Sequence, residues 1–364
     1  MALPSSARLT IDLEALAHNY RVLTAEAGGV EAAPVLKGDA YGLGAGPVAR
    51  RLWAEGTRSF FVARVSEGVL LRMELGPERP ARILVLDGLP PGSADALAGA
   101  DLTPVLTSLP QVEAASLYAA QAAQPLKVGL HLDTGMNRQG MTAADARALA
   151  QSPDRLRGLD VELVMSHLGT ATDPTSPRSA KQLAAFEPLR ALFPEAQASL
   201  AASAGIFLGA PYRFDLVRPG VSLYGGGPFE VTHPALKQVA TFEAPILDVR
   251  VIAPGETLGY GDSLRIETPT RVAVVAAGYA DGLIRAGKAG GKGWFAGAAR
   301  PILIINMDLI VLDIGDAPAR PGQMVQLMGP NAPIDDLAAA SGTVAHECLV
   351  RISERAERVY LGES

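Results

Sequence analysis

Cysteine is nearly absent from this 364-residue chain, with Cys348 standing alone. No internal disulfide can form, and a metal site built from cysteines is excluded. Only five histidines are present, scattered and without an HExxH pattern, which argues against a zinc centre as well. A basic excess is also missing. Lys and Arg number 32 against 38 Asp and Glu, a net charge of −6, so neither nucleic acid nor an anionic membrane surface is the expected partner. No apolar run approaches the ~18 residues of a membrane span. The opening "MALPSSARLTIDLEAL" lacks the basic and apolar regions of an export signal. These absences leave a globular protein, expected in the cytoplasm, whose ligands are small molecules.

What is present is an alternation. Between about residue 33 and residue 225, short apolar and often β-branched runs alternate with longer amphipathic stretches, the pattern of βα units around a parallel sheet. The strand candidates are "APVLKG", "RSFFVARV", "RILVLDG", "LTPVLTS", "LKVGLHLDT", "DVELVMSHL", "QASLAAS" and "DLVRPGVSLYG", eight in all. Segments such as "AGPVARRLWAEG" and "SAKQLAAFEPLRALF" carry apolar residues at helical spacing between them. Eight such units predict an α/β fold: a (β/α)8 TIM-type barrel over residues 1–230. After Gly225 the texture becomes strand-like runs broken by Pro, Gly and Asp, which predicts a mainly β domain over 231–364. The N-terminal "RLTIDLEALAHNYRVL" reads as a strand and a helix outside the count of eight, and strand 8–13 is expected to pair with the second domain.

In such a barrel, active sites lie at the C-terminal ends of the strands. Lys37 ends the first strand, Arg138 follows the fifth in "DTGMNRQG", His167 ends the sixth, Ser203 the seventh, and Arg218 lies in the eighth. Each has an ordinary alternative. Lys37 could snorkel from a strand end, His167 could be a satisfied core histidine, Ser203 a helix cap, and Arg218 half of a buried ion pair. Collected on one rim, they suit an anionic ligand, because arginine forks and helix starts bind carboxylate and phosphate. A recessed lysine can also form an imine with a carbonyl compound. The combination points to pyridoxal 5'-phosphate.

The stretches "LKGDAYGLG", "DTGMNRQG", "SHLGTATD", "SAG", "RPGVSLYG", "GYGDS", "GYADG" and "NMD" resemble, in that order, the motifs of alanine racemases. The resemblance runs from "IDLEALAHNYRVL" to "RISERAERVY". It implies a two-domain, fold type III enzyme that interconverts L- and D-alanine, working as a head-to-tail homodimer whose active sites borrow residues from the partner's second domain. Lys37 would then carry pyridoxal 5'-phosphate. Tyr41, Ser203, the Gly220 backbone and Tyr224 would surround its phosphate, while Arg218, supported by His167, would face the ring nitrogen. An always-cationic arginine there disfavours a proton on that nitrogen and weakens the ring as an electron sink. Lys37 would serve one face of the substrate Cα and Tyr260 of the partner subunit the other. A free phenol has a pKa of about 10, so such a base needs positive charge nearby. Arg138 and the Met307 backbone would hold the substrate carboxylate, and Tyr279 and Asp308 would line an access corridor.

The chain departs from the family pattern at several positions. Asp39 stands where many members have asparagine and Leu43 where they have histidine. Asn306 replaces a common cysteine, Ala202 a frequent asparagine, and Glu354 a tyrosine found in some. His131 occupies the place of a lysine that is carbamylated in several members, so another group must position Arg138. Competing readings remain. A broad-specificity or serine racemase is the nearest, and a fold type III decarboxylase would not be expected to carry an arginine such as Arg218. From other classes come a non-catalytic pyridoxal phosphate carrier, a hydrolase built on "AASAG" with His233 or His346 as base, and a dinucleotide binder built on "GLGAG".

Overall fold

The structure is a computed structural model that describes residues 7–122, 124–262 and 264–362. The chain divides into two compact units. Asn19–Leu223 form one, and the described residues of Met1–His18 and Tyr224–Ser364 form the other.

The first unit is a barrel of parallel strands. Ser59–Val62, Arg82–Val85, Leu102–Leu106, Leu126–His131, Leu159–Met165 and Gln197–Ser199 pair in chain order as a six-stranded sheet. Glu31–Ala32 and Leu216–Val217 pair with each other. Two bridges close the ring, Val35 to Phe61 and Ala202 to Arg218. The Leu36 N–H donates to the Phe61 carbonyl at 2.7 Å, and the Arg218 N–H to that of Ala201 at 2.9 Å. Each of the eight predicted strands has a counterpart, but the first is regular only at Glu31–Ala32, just ahead of the run that marks it, with a single bridge at Val35 inside the run, and the last only at Leu216–Val217. Pro34 and Pro219 interrupt those runs, and proline has no N–H to give to a ladder.

Ser59–Val62 and Leu102–Leu106 are buried along their whole length. That is why they read as continuous apolar runs rather than alternations: one face looks into the barrel and the other is covered by helices. Local chemistry starts those helices. Thr142 and Asp145 exchange hydrogen bonds as a capping box for Ala143–Ala150, and Ser176 caps Pro177–Arg190, with its proline in the first turn. At the N-terminal ends of the strands, Arg82 donates to Glu31, Ser59 and Gln197 and lies 3.8 Å from Glu162. Glu162 is the extra residue of a β-bulge, since Val128 pairs with Val161 and Gly129 with Leu163.

The second unit is an eight-stranded sheet. Its order is Thr270–Val275, Ile310–Asp313, Ala298–Ile305, Lys292–Phe295, Met324–Met328, Ala240–Ile252, Arg8–Asp12 and Glu357–Leu361. The long strand Ala240–Ile252 also pairs with Thr270–Val275, so the sheet curls back on itself. Ile252, Ile266, Val272, Ile304 and Val311 pack together in its interior. Arg8–Asp12 lies antiparallel to Ala240–Ile252 and parallel to Glu357–Leu361. Leu9 and Ile11 are buried while their neighbours are not, the alternation of a strand with one covered face. Among the described residues no helix is long and apolar enough to cross a membrane.

Candidate active site

Lys37 leaves the first strand just past its last ladder bond. The four residues after it, Gly38, Asp39, Ala40 and Tyr41, have φ of 62°, 55°, 53° and 59° with ψ between 35° and 53°. They form a left-handed turn, in which only the first residue is a glycine. Each non-glycine residue there costs roughly 1–2 kcal/mol, so the turn persists only because its surroundings specify it. The Ala40 N–H donates to the Leu36 carbonyl at 2.8 Å, and the Asp39 carboxylate accepts the Ala45 N–H at 2.7 Å. The reversed hand swings Tyr41 inward, where it is buried. Its phenol pKa is raised by burial, so the hydroxyl stays protonated.

Tyr41 reaches Gly220, where a methyl group would lie 2.5 Å from the Tyr41 hydroxyl and would have to displace it. The Gly220 N–H donates to Ser203 Oγ at 2.9 Å and the Ser222 N–H to the same oxygen at 3.3 Å. Ser203 is thus not the cap of the following helix, whose N-cap is Ala202. With both lone pairs engaged, its hydroxyl hydrogen is free to be given to an acceptor.

Arg218 is buried, and neutral oxygens take its donors: the Ser166 carbonyl at 2.6 Å, the Leu200 carbonyl at 3.2 Å and the Ser199 hydroxyl. Among the described residues no carboxylate forms an ion pair with it, so the ion-pair alternative does not hold. Burial lowers its pKa to about 9, leaving it cationic at neutral pH. His167 Nδ1 lies 3.5 Å from the guanidinium. Desolvation, then the charges of Arg218 and Arg138, hold the His167 pKa well below the usual imidazole range, so this ring is neutral. His131 is 5% exposed, and the same causes lower its pKa to about 4. Among the described residues its Nδ1 has no hydrogen-bond partner.

Arg138 is exposed on a loop that Asp133 organises, accepting the N–H groups of Gly135, Met136 and Asn137 at 2.9–3.2 Å. Lys37 also presents surface to solvent in the single chain, yet its ammonium pKa is lowered by desolvation and by the charge of Arg138, while Glu67 raises it. The barrel thus gathers Lys37, Tyr41, Arg138, His167, Ser203, Arg218 and Gly220. The other sequence-predicted residues belong to the β unit. Tyr224 is buried there, and its carbonyl accepts the Val239 N–H. Tyr260 is 85% exposed, Met307 53% and Tyr279 42%. The Tyr279 N–H donates to the Asn306 carbonyl at 3.0 Å, and Asp308 is paired with Arg355 at 2.8 Å. Glu354 is exposed.

Two residues escaped sequence reasoning. Gln182, buried on helix Pro177–Arg190, donates to the His167 carbonyl at 2.9 Å and accepts the Gly169 N–H at 2.8 Å, fixing the loop after the sixth strand. Glu67 bonds to the amide of Gly38 at 2.9 Å. A polar residue within a helix gives no sign in the sequence of the loop it will reach, although a glutamate three residues after a helix start is a legible cap.

Architecture alone gives the class: an α/β-barrel protein with a curled, mainly antiparallel β unit on the same chain. Residues 11–228 match the alanine racemase N-terminal domain and residues 239–360 the alanine racemase C-terminal domain. The chain is 39% identical over 361 residues to the catabolic alanine racemase of Agrobacterium fabrum, covering 98% of this chain and 92% of that one. It is 42% identical over 362 residues to an alanine racemase of a Methylobacterium strain, covering 98% of each. The crystal structure of alanine racemase from Bartonella henselae with covalently bound pyridoxal phosphate superposes with a TM-score of 0.91 at 34% identity, over 98% of this chain and 100% of that one. The chain belongs to the alanine racemase family.

Proposed function

We propose that this protein interconverts L- and D-alanine with pyridoxal 5'-phosphate, using Lys37 and Tyr260 of the partner subunit as bases on opposite faces of the substrate. The observation that carries the reading is the rim of the barrel: a lysine whose pKa desolvation and Arg138 lower, and on the same rim a buried arginine that no carboxylate among the described residues pairs with. These residues fit the cofactor. Lys37, more readily deprotonated than a free lysine, suits bonding to an aldehyde. Ser203 has a hydroxyl hydrogen to give, Tyr41 keeps its own, and Gly220 leaves the space between them clear of a side chain, a setting suited to a phosphate. Arg218 can donate to a ring nitrogen but cannot take a proton from it. Pyridoxal phosphate, when bound, supplies the carbonyl that takes up the amino acid and the ring that acidifies its Cα–H.

The chain's own residues would do the rest. Arg138 orients the substrate carboxylate, and the Met307 backbone supplies a second contact. Lys37 takes or returns the Cα proton on one face and Tyr260 of the partner subunit on the other. Neutral His167 beside Arg218 adds no charge, so the positive field stays on the two arginines. Tyr224 completes the phosphate surroundings, and Tyr279 and Asp308 line the approach.

A homodimer with shared sites is part of the reading. Tyr260, Met307 and Tyr279 are too exposed in one chain for the work assigned to them, and a second copy would cover them. We also place the protein in the cytoplasm, where a lone buried thiol such as Cys348 persists reduced.

The test is isotope exchange. In deuterated water the purified, cofactor-loaded protein should exchange Cα–H and change chirality in both directions with alanine. Lys37→Ala should abolish both. Tyr260→Phe should slow proton removal from one enantiomer far more than from the other. Mixing the two variants should restore part of the activity, since one of the two hybrid sites is intact. A wild-type protein that takes up no cofactor, or variants that fail to complement each other, would refute the reading.

A further inference from the structure

Lys37 sits at a seam. The first strand and Ser59–Val62 are joined by the Val35–Phe61 bridge, and their last ladder bond is the Leu36 N–H to the Phe61 carbonyl at 2.7 Å. Beyond that bond the two segments diverge, one into the left-handed turn and the other into helix Val65–Leu75. The Glu67 carboxylate spans the gap. Its Oε1 accepts the Gly38 N–H at 2.9 Å, and its Oε2 accepts the N–H groups of Ala63 at 2.8 Å and Arg64 at 3.1 Å. The amides on both sides of Lys37 are therefore tied to the same neighbouring segment, one by the ladder and one by this side chain.

We propose that Glu67 is the positioning residue for Lys37: one carboxylate that caps its own helix and, with its other oxygen, holds the amide after Lys37, so that the strained turn keeps the lysine aimed at the substrate. The inference rests on the proposed racemase reading and adds a residue to it. A cap alone would need only the Arg64 amide. The bond to Gly38, 29 residues away, does nothing for the helix, and it joins the first residue of a turn whose next three members pay for a left-handed conformation. A carboxylate suits this place because it offers acceptors on two sides. Glutamine offers one oxygen and one NH2, and the NH2 would face an N–H donor, so Glu67→Gln can serve the cap or the turn but not both.

Charge makes a second contribution. The ionised groups that act on Lys37 are Glu67 and Arg138, and Lys37 acts in turn on His167, which is neutral. Removing the Glu67 charge leaves Arg138 unopposed and lowers the lysine pKa further.

The experiment compares the cofactor-loaded wild type with Glu67→Gln by amide hydrogen exchange, read in the peptide spanning 35–44, and by deuterium exchange at Cα of each alanine enantiomer across pH. Loss of a hydrogen bond to a charged acceptor should speed amide exchange in that peptide by about tenfold or more. Removal of the proton that Lys37 serves should fall by more than that served by Tyr260, and the lysine-linked limb of the pH profile should move to lower pH. Glu67→Asp keeps the charge and an acceptor for the helix but is one methylene short of Gly38, so peptide 35–44 should again exchange faster while the limb stays in place. This variant also decides the matter if Glu67→Gln does not fold. Unchanged amide exchange in 35–44, or equal slowing for both enantiomers, would overturn the proposal. A wild type without racemase activity would overturn the proposed function instead, and the amide exchange would still judge the clamp.

Discussion

His131 should make this protein sensitive to mild acid. Its imidazole is buried beside Arg218 and Arg138, and desolvation with those charges lowers its pKa from 6.5 to about 4. At neutral pH the ring is uncharged in both the folded and the unfolded chain, so nothing is lost. As pH falls below 6.5 the unfolded chain takes up a proton that the folded one refuses until about pH 4. Stability must fall across that window and level off beneath it. At about 1.4 kcal/mol per pH unit the loss reaches roughly 3 kcal/mol. His167 is depressed by the same causes and steepens the fall. Replacing His131 by methionine, a residue of similar volume that does not titrate, should remove its share. Urea midpoints for the wild type and His131→Met, at one protein concentration and with cofactor saturating, should be compared from about pH 7.5 to about pH 4.5. The variant should gain on the wild type as the solution is acidified, by up to roughly 3 kcal/mol. Parallel curves would mean that His131 accepts a proton in the folded chain as easily as in water. The reasoning from burial and neighbouring arginines would then be wrong.

Four other substitutions probe the barrel, three at the rim and one at its opposite end. Gly220→Ala forces a methyl group to 2.5 Å from the Tyr41 hydroxyl and should lower stability by about 1–3 kcal/mol. Adding Tyr41→Phe removes that oxygen and leaves the nearest ring carbon at 3.5 Å, so the double variant should recover most of the loss in a thermal melt. Arg82→Met strips a cation from the half-buried Glu31 and Glu162 and should cost roughly 1–3 kcal/mol in urea. Activity per folded molecule should not change, because Arg82 lies at the end of the barrel opposite Lys37. Arg218→Lys keeps a charge but cannot reach the Ser166 and Leu200 carbonyls with a fork, so it should fold yet release its cofactor during gel filtration where the wild type does not.

Much of the barrel was legible because its strands are covered on both faces. Burial of that kind leaves an unbroken apolar run, and Phe60, Phe61 and Val62 show it in one strand. The rim was legible as well, since Lys37, His167 and Ser203 follow such runs, Arg218 lies within one and Arg138 sits in the loop after another. The first and last strands were less so, because Pro34 and Pro219 interrupt their ladders inside apolar segments that carry on. The curl of the β unit was hidden altogether. It depends on Ala240–Ile252 pairing with different partners along its length, and pairing between distant segments leaves no local pattern.

By itself, then, the sequence determined which segments would be strands and which polar groups would stand at their ends, because hydrophobic periodicity and chain order are local properties. Only the tertiary structure decided that Asp39, Ala40 and Tyr41 wind left-handed, that Glu67 reaches across to the amide after Lys37, and that Arg218 lies buried with neutral oxygens on its donors. Those features are set by hydrogen bonds and burial between segments far apart in the chain, and a strained conformation holds only where such contacts outweigh its local preference.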